Sequence, residues 1–169
     1  ESSSRRGDAG FIAAAQYWEA AIKVQQNLLS DAFALLNEAA AAPPEVMMSL
    51  DWLILHSIRA QAYLRQGQYV YAKKEADKVE AIISNISLTT NGLFFYGYAG
   101  LVEVKLGLWE AKATVESEQD LKKSTRQASK KFQAYTNSFP AGKARALCYA
   151  GLIEWLGGKG IKAHQAWHK

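Results

Sequence analysis

Four times along this chain a small residue stands seven positions before a turn residue. Ala20, Ala60, Gly100 and Gly151 precede Asn27, Gly67, Gly107 and Gly158 in this way. Five positions after the turn come Ala32, Ala72, Lys112 (between Ala111 and Ala113) and Ala163. The segment AYLRQGQYVYAKKEADK is the plainest copy: an apolar helical run, Gly67, then a second helical run opening on Tyr69 and Ala72. Glycine permits the left-handed backbone that ends many helices, and asparagine tolerates it better than most residues. Small residues at two fixed offsets from such a turn are what two helices need to approach closely. The unit is a helical hairpin, and the turns recur at intervals of 40, 40 and 51 residues.

A hairpin that repeats in this way buries its apolar face only against its neighbours. The pattern predicts helices near 9–26, 29–41, 46–66, 68–84, 90–106, 109–117, 119–136, 141–157 and 159–169. Pro43-Pro44, Ser84–Asn91 and Phe139-Pro140-Ala141-Gly142 are the expected breaks between hairpins, since proline and glycine end helices. The eleven extra residues of the last interval fall in SEQDLKKSTRQASKK, as an elongated second helix or a short additional one. Abundant alanine, 28 residues of 169, favours helix throughout. The expectation is one all-α domain over 1–169, with repeats near 9–44, 45–88, 89–139 and 140–169.

Composition excludes other classes. Apolar content of 49% with a net charge of only +4 is not that of a disordered chain. The single Cys148 rules out a disulfide framework within the chain and suits a reducing, cytoplasmic setting. No run of about 18 apolar residues spans a membrane, and the opening ESSSRRGDAG lacks the apolar core of a secretory signal.

These residues resemble the tetratricopeptide repeat, which places a small residue at position 8, a turn glycine near 15, an aromatic at 17, alanine at 20 and proline at 32. With Asn27 at position 15, Ala39 and Pro44 fall at 27 and 32, as that family prefers. Tyr69 and Trp109 take position 17. The departures are a period longer than the usual 34, a proline kept only in the first repeat, and Lys112 at position 20 of the third. The resemblance implies a right-handed solenoid of about four hairpins. A narrower likeness runs from Phe132-x-x-Tyr135-x-x-x-Phe139-Pro140-x-Gly142-Lys143-x-Arg145-Ala146 through Gly151-Leu152-x-Glu154-Trp155-Leu156 to Lys162-Ala163-x-x-Ala166-Trp167. It is similar to the repeat region that follows the ATPase module in adenylate/guanylate cyclases and kinase–ATPase fusions, and to the sensor domains of maltose-regulon-type activators. It implies a scaffold or sensor role within a longer protein. The last helix, ending in HQAWHK, lacks the polar cap that terminal repeats need, which fits the same expectation.

Catalytic chemistry finds little purchase. The run GGKG at 157–160 follows a helix and has Ile161 where a phosphate loop needs a hydroxyl, so a hairpin turn is expected. His164 and His168, four apart, share a helix face but lack the further ligands of a zinc site, and are read as solvent-facing. Cys148 reads as a small buried hydrophobe. Glu103 and Glu154 share a repeat position, so a carboxylate pair stacked between repeats is conceivable, without the geometry of acid–base catalysis. No nucleophile motif is present, and no enzyme activity, cofactor or metal is expected of this chain.

Charge is uneven: residues 1–85 carry 8 basic and 10 acidic side chains, residues 86–169 carry 12 and 6. Within that excess Lys122, Arg126 and Lys130 form one helical stripe, flanked by Lys123 and Lys131. Such a stripe attracts anions, and nucleic-acid binding through 122–131 is one alternative function. It lacks interleaved aromatics for base stacking. The resemblance instead implies a concave binding face built from the first helix of each hairpin. Carried over residue by residue, that face comprises Tyr17, Val24 and Gln25, then Ser57, Gln61, Leu64 and Arg65. Phe94, Leu101, Val104 and Lys105 follow, and finally Arg145, Leu152, Trp155 and Leu156. The expected function is protein–protein interaction, with a peptide or partner domain anchored on Phe94, Leu101, Leu152 and Trp155. Arg65, Lys105 and Arg145 would orient its acidic end. A small-molecule-sensing regulatory domain is the other alternative.

Overall fold

The computed structural model describes residues 2–86, 92–113 and 115–168, with side chains from residue 9 onward. These residues form eight α-helices: α1 (Ser2–Gln25), α2 (Leu29–Ala40), α3 (Ser49–Arg65), α4 (Tyr69–Asn85), α5 (Phe94–Glu110), α6 (Glu118–Ser138), α7 (Lys143–Leu156) and α8 (Gly160–Trp167). Short 3₁₀ turns at Pro44–Val46 and Pro140–Gly142 mark two of the expected breaks. The third break is only partly visible: α4 ends at Asn85 with Ile86 extended, and residues 87–91 lie outside the described residues. Among the described residues there is no strand.

Consecutive helices pair as four hairpins, and each hairpin packs on the next through α1 with α3, α3 with α5, and α5 with α7. The second helix of each hairpin also touches the first helix of the following one. In the first, second and fourth hairpins the small residues lie where the sequence implied. Ala20 and Ala32, Ala60 and Ala72, and Gly151 and Ala163 are all buried. Asn27, Gly67 and Gly158 all have positive φ, at 61°, 71° and 74°.

The third hairpin corrects the sequence reading. Helix α5 runs through Gly107 to Glu110, and the positive φ falls on Lys112, at 49°. The helix expected at 109–117 does not form. The chain turns over Ala111 and Lys112, Thr114 lies outside the described residues, and α6 starts at Glu118. The turns are therefore 40, 45 and 46 residues apart. Lys112 is the turn residue rather than the equivalent of an inter-helix alanine. With the turn at Lys112 the last interval holds six residues beyond 40 rather than eleven, and α6 spans 21 residues against 17 in α4. Its start is fixed by Ser117, whose Oγ accepts the Asp120 amide at 3.1 Å.

Because Lys112 is exposed and holds a conformation that penalises a Cβ, Lys112→Gly is expected to stabilise the chain by about 0.5–1 kcal/mol in urea unfolding. A residue inside a helix would give the opposite sign, a loss of about 1 kcal/mol. A destabilised K112G would restore the turn to Gly107.

Two apolar clusters fill the interior. The first joins α1 and α2 to Ile54, Leu55, Ile58 and Ala62 of α3. The second runs from Leu53 and Ala60 of α3 through α4, α5 and α6 to Ala146, Tyr149 and Ile153 of α7. Helix α3 therefore faces both clusters, and α5 buries eleven of its seventeen residues. The close approach of α5 to α3 depends on missing side chains. A Cβ at Gly97 or Gly107 would come within 2.5 Å of Leu53 or Leu64, and one at Gly100 would overlap Ser57 Oγ. Polar ties reinforce the stack. Arg59 Nη2 donates to the Leu36 carbonyl at 2.8 Å, and the Tyr17 hydroxyl donates to Asp51 Oδ1 at 2.9 Å. Burial opposes ionisation of Glu75, but His56 at 2.6 Å and Lys78 at 2.8 Å override it and bring its pKa down to about 2.

Candidate functional site: a cavity across the first helices

The first helices of all four hairpins meet around one half-enclosed cavity of about 290 Å³. Helix α1 contributes Trp18, Ala21 and Ile22 with Val24 and Gln25, and α3 contributes Ser57, Ile58 and Gln61. Tyr96, Ala99, Gly100 and Glu103 come from α5, and Arg145 from α7. Each face arises from helical spacing: 57, 58 and 61, or 96, 99, 100 and 103, fall on one side of a 3.6-residue helix. The cavity runs obliquely. Its lining lies two to nine residues before the turn on α1, but thirteen before it on α7.

One wall is aromatic. Trp18 meets Tyr96 edge-on, ring centroids 4.5 Å apart, and Ser57 Oγ donates to the Tyr96 carbonyl at 3.1 Å. The other end is ionic. The Arg145 guanidinium lies 3.6 Å from Glu103 Oε2 and rests over the rings of Phe95 and Tyr149. The Tyr149 hydroxyl donates to the same Glu103 oxygen at 3.3 Å. Burial raises the Tyr149 pKa and the Glu103 charge raises it further, so the phenol stays protonated and Glu103 keeps its donor. This is an apolar slot with one carboxylate–guanidinium pair at its end, a size at the lower limit of ligand pockets.

The structure distributes the expected site residues differently. Val24, Gln25, Ser57, Gln61 and Arg145 line the cavity. Arg65 is exposed beside it, donating to Gln25 Oε1 at 3.2 Å. Tyr17 is buried against Asp51. Phe94 is half-buried against the second cluster. Leu101 and Lys105 point away from the cavity: Leu101 is buried, and Lys105 is buried with its Nζ 2.7 Å from Glu80 Oε2 of α4. Neither is available to a partner in this conformation. Their displacement follows from the misplaced turn, since a five-residue error rotates the inferred helix face by about 140°. Leu152 and Trp155 are exposed, but on the outer side of α7.

Trp18, Tyr96 and Glu103 are cavity residues that the sequence reading did not place there. Even with the turn at Lys112, the two on α5 fall sixteen and nine residues before it, outside the offsets applied to the other helices, so no repeat position points to them.

Other sequence features settle in turn. Glu103 and Glu154 do not stack on each other. Glu154 faces Arg126 at 3.9 Å and Lys159 at 3.8 Å, while Glu103 faces Arg145. Cys148 is exposed, correcting the buried reading, because it lies on the outer side of α7. His164 and His168 are exposed, with their Nε2 atoms 3.2 Å apart. Among the described residues no group of three His, Cys, Asp or Glu side chains converges for a metal. No helix is long and apolar enough to cross a membrane, among those same residues. The basic stripe lies along a shallow concavity of α6 lined by Lys122, Lys123, Arg126 and Lys130. Lys122 sits over the buried Trp109 ring, and Lys131 approaches Ser84 and Glu80.

The fold and cavity thus define an all-helical stack of hairpins with a small apolar slot across its first helices. Compared with known proteins, the chain matches no family model, no curated relative and no solved structure.

Proposed function

We propose that this chain is a non-enzymatic interaction module, a right-handed tetratricopeptide-like solenoid that serves a larger signalling or regulatory protein of cyclase or ATPase type. A cytoplasmic setting goes with that reading. The observation that carries it is the cavity itself: four consecutive first helices converge on one apolar slot with an arginine at its end. Serial packing of hairpins supports the solenoid, since each hairpin packs mainly on its sequence neighbours, with Trp18 on Tyr96 as a smaller contact from the first to the third. A peptide would place one or two apolar side chains against the wall formed by Trp18 and Tyr96 and an acidic group at Arg145, with Arg65 beside the slot. The slot carries a carboxylate whose partners are a guanidinium and a phenol, an arrangement that orients a ligand.

The test is a random peptide library displayed on phage, panned on the wild-type chain and counter-screened on Ala21→Trp, which fills the slot. Enriched peptides are expected to carry an apolar residue near an acidic one. Their binding should weaken at least tenfold in A21W and in Arg145→Glu, with circular dichroism unchanged. Failure to enrich any peptide, or equal binding to A21W, would remove the proposal.

A further inference from the structure

The stack has two open faces, and their chemistry is complementary. Between α3 and α5 the interface is made by Leu53, Ser57 and Leu64 of α3 against Gly97, Gly100 and Gly107 of α5. Aligning the turns carries the α3 face onto Ala144, Cys148 and Trp155 of α7. Cys148 and Ala144 are exposed, Trp155 is 60% exposed, and Leu152 lies on the same stripe. The same alignment carries the α5 face onto Ile12, Ala15 and Ile22 of α1. These too are exposed, Ile12 at 58%, with Phe11 beside them at 79%. The interface that joins hairpins inside the chain is therefore presented as two uncovered halves, one on α1 and one on α7. The fit is wider than inside the chain, because Ile12, Ala15 and Ile22 stand where α5 has Gly97, Gly100 and Gly107; only at Ala144, smaller than Leu53, does the α7 side give way.

Charge favours the same pairing. Residues 9–44 hold one basic and three acidic side chains, while residues 140–169 hold five basic and one acidic. Two copies of the acidic end repel each other, as do two copies of the basic end, whereas unlike ends attract.

We propose that the outer face of α7 docks on the outer face of α1 of a second copy of this chain, head to tail. Such an interface is heterologous: each copy uses two different surfaces, and association continues beyond the dimer. Ile22 of the docking face also borders the peptide slot, whereas Ile12 and Trp155 do not line it, so variants at those two positions separate the two readings.

Sedimentation equilibrium of the intact chain tests it with Ile12→Glu and Trp155→Glu, both at exposed positions and checked for helicity. Wild type is expected to rise above its 18.6 kDa monomer mass with concentration at low salt and to fall back at high salt. Each variant alone should associate at least tenfold more weakly. An equimolar mixture should regain affinity but stop at twice the monomer mass, since I12E still offers α7 and W155E still offers α1. A wild type that stays monomeric overturns the proposal. So does a mixture that stays monomeric while wild type associates, or an I12E variant that self-associates as wild type does.

Discussion

Gly100→Ala is expected to destabilise the chain by about 3 kcal/mol, and Ser57→Ala in the same molecule to recover most of that loss. Helix propensity alone predicts the reverse, because alanine inside a helix is favoured over glycine by about 1 kcal/mol. Packing decides the sign. A Cβ on Gly100 would overlap Ser57 Oγ, lie 2.7 Å from Gln61 Nε2 and lie 3.3 Å from Ser57 Cβ. Gln61 is a flexible end and can move. Ser57 is buried, and its hydroxyl is held by the Tyr96 carbonyl of α5 at 3.1 Å. The methyl must therefore displace that hydroxyl or separate α3 from α5, along the seam that Gly97 and Gly107 also keep narrow. Ser57→Ala alone removes one hydrogen bond, a cost of about 1 kcal/mol. With the hydroxyl gone, the nearest fixed atom is the residue-57 Cβ, a tight but tolerable contact. Urea unfolding of the two single variants and the double one gives the coupling directly. Additive losses would show that α3 and α5 do not meet at this point.

The same glycines explain what could and could not be read from the sequence. The first, second and fourth hairpins were legible because Asn27, Gly67 and Gly158 combine a turn conformation with flanking small residues, so one signal reinforces the other. In the third hairpin the signals separate. Gly107 looks like a turn glycine but keeps α5 close to Leu64, while the turn itself falls on Lys112, a residue with no preference for it. A buried lysine, Lys105, occupies the place seven residues before that turn, where the other hairpins have Ala or Gly; Glu80 neutralises it. Nothing local distinguishes such a lysine from a solvated one, because its partner is 25 residues away. The cavity was legible on α1 and α3, where the register held, and at Arg145. It was rotated out of view on α5. Its oblique course adds a second obstacle, since a fixed set of repeat positions describes a groove parallel to the stack and not one that drifts along the helices.

Leu36→Ala is expected to cost about 3 kcal/mol and to spend that loss almost entirely on the first hairpin. Leu36 is fully buried in the cluster formed by α1, α2 and one face of α3, so truncation leaves a cavity with no mobile neighbour to fill it. In a stack whose hairpins pack mainly on their neighbours, with Trp18 on Tyr96 as a minor link from the first to the third, stability is approximately a sum of unit and interface contributions. The first cluster is then free to open while α5, α6 and α7 remain packed around Val102, Phe132 and Tyr135. Native-state hydrogen exchange should show opening free energies in α1 and α2 falling by about the full amount, while protection in α5 to α7 is nearly unchanged. Phe132→Ala, fully buried in the second cluster, should give the converse pattern. Helix α3 is the diagnostic element, since Leu55 and Ile58 belong to one cluster and Leu53 and Ala60 to the other. It should weaken partially in both variants. If instead every helix loses the same protection in L36A, the chain unfolds as one closed cooperative unit, and the reading of it as a serial array of hairpins fails with it.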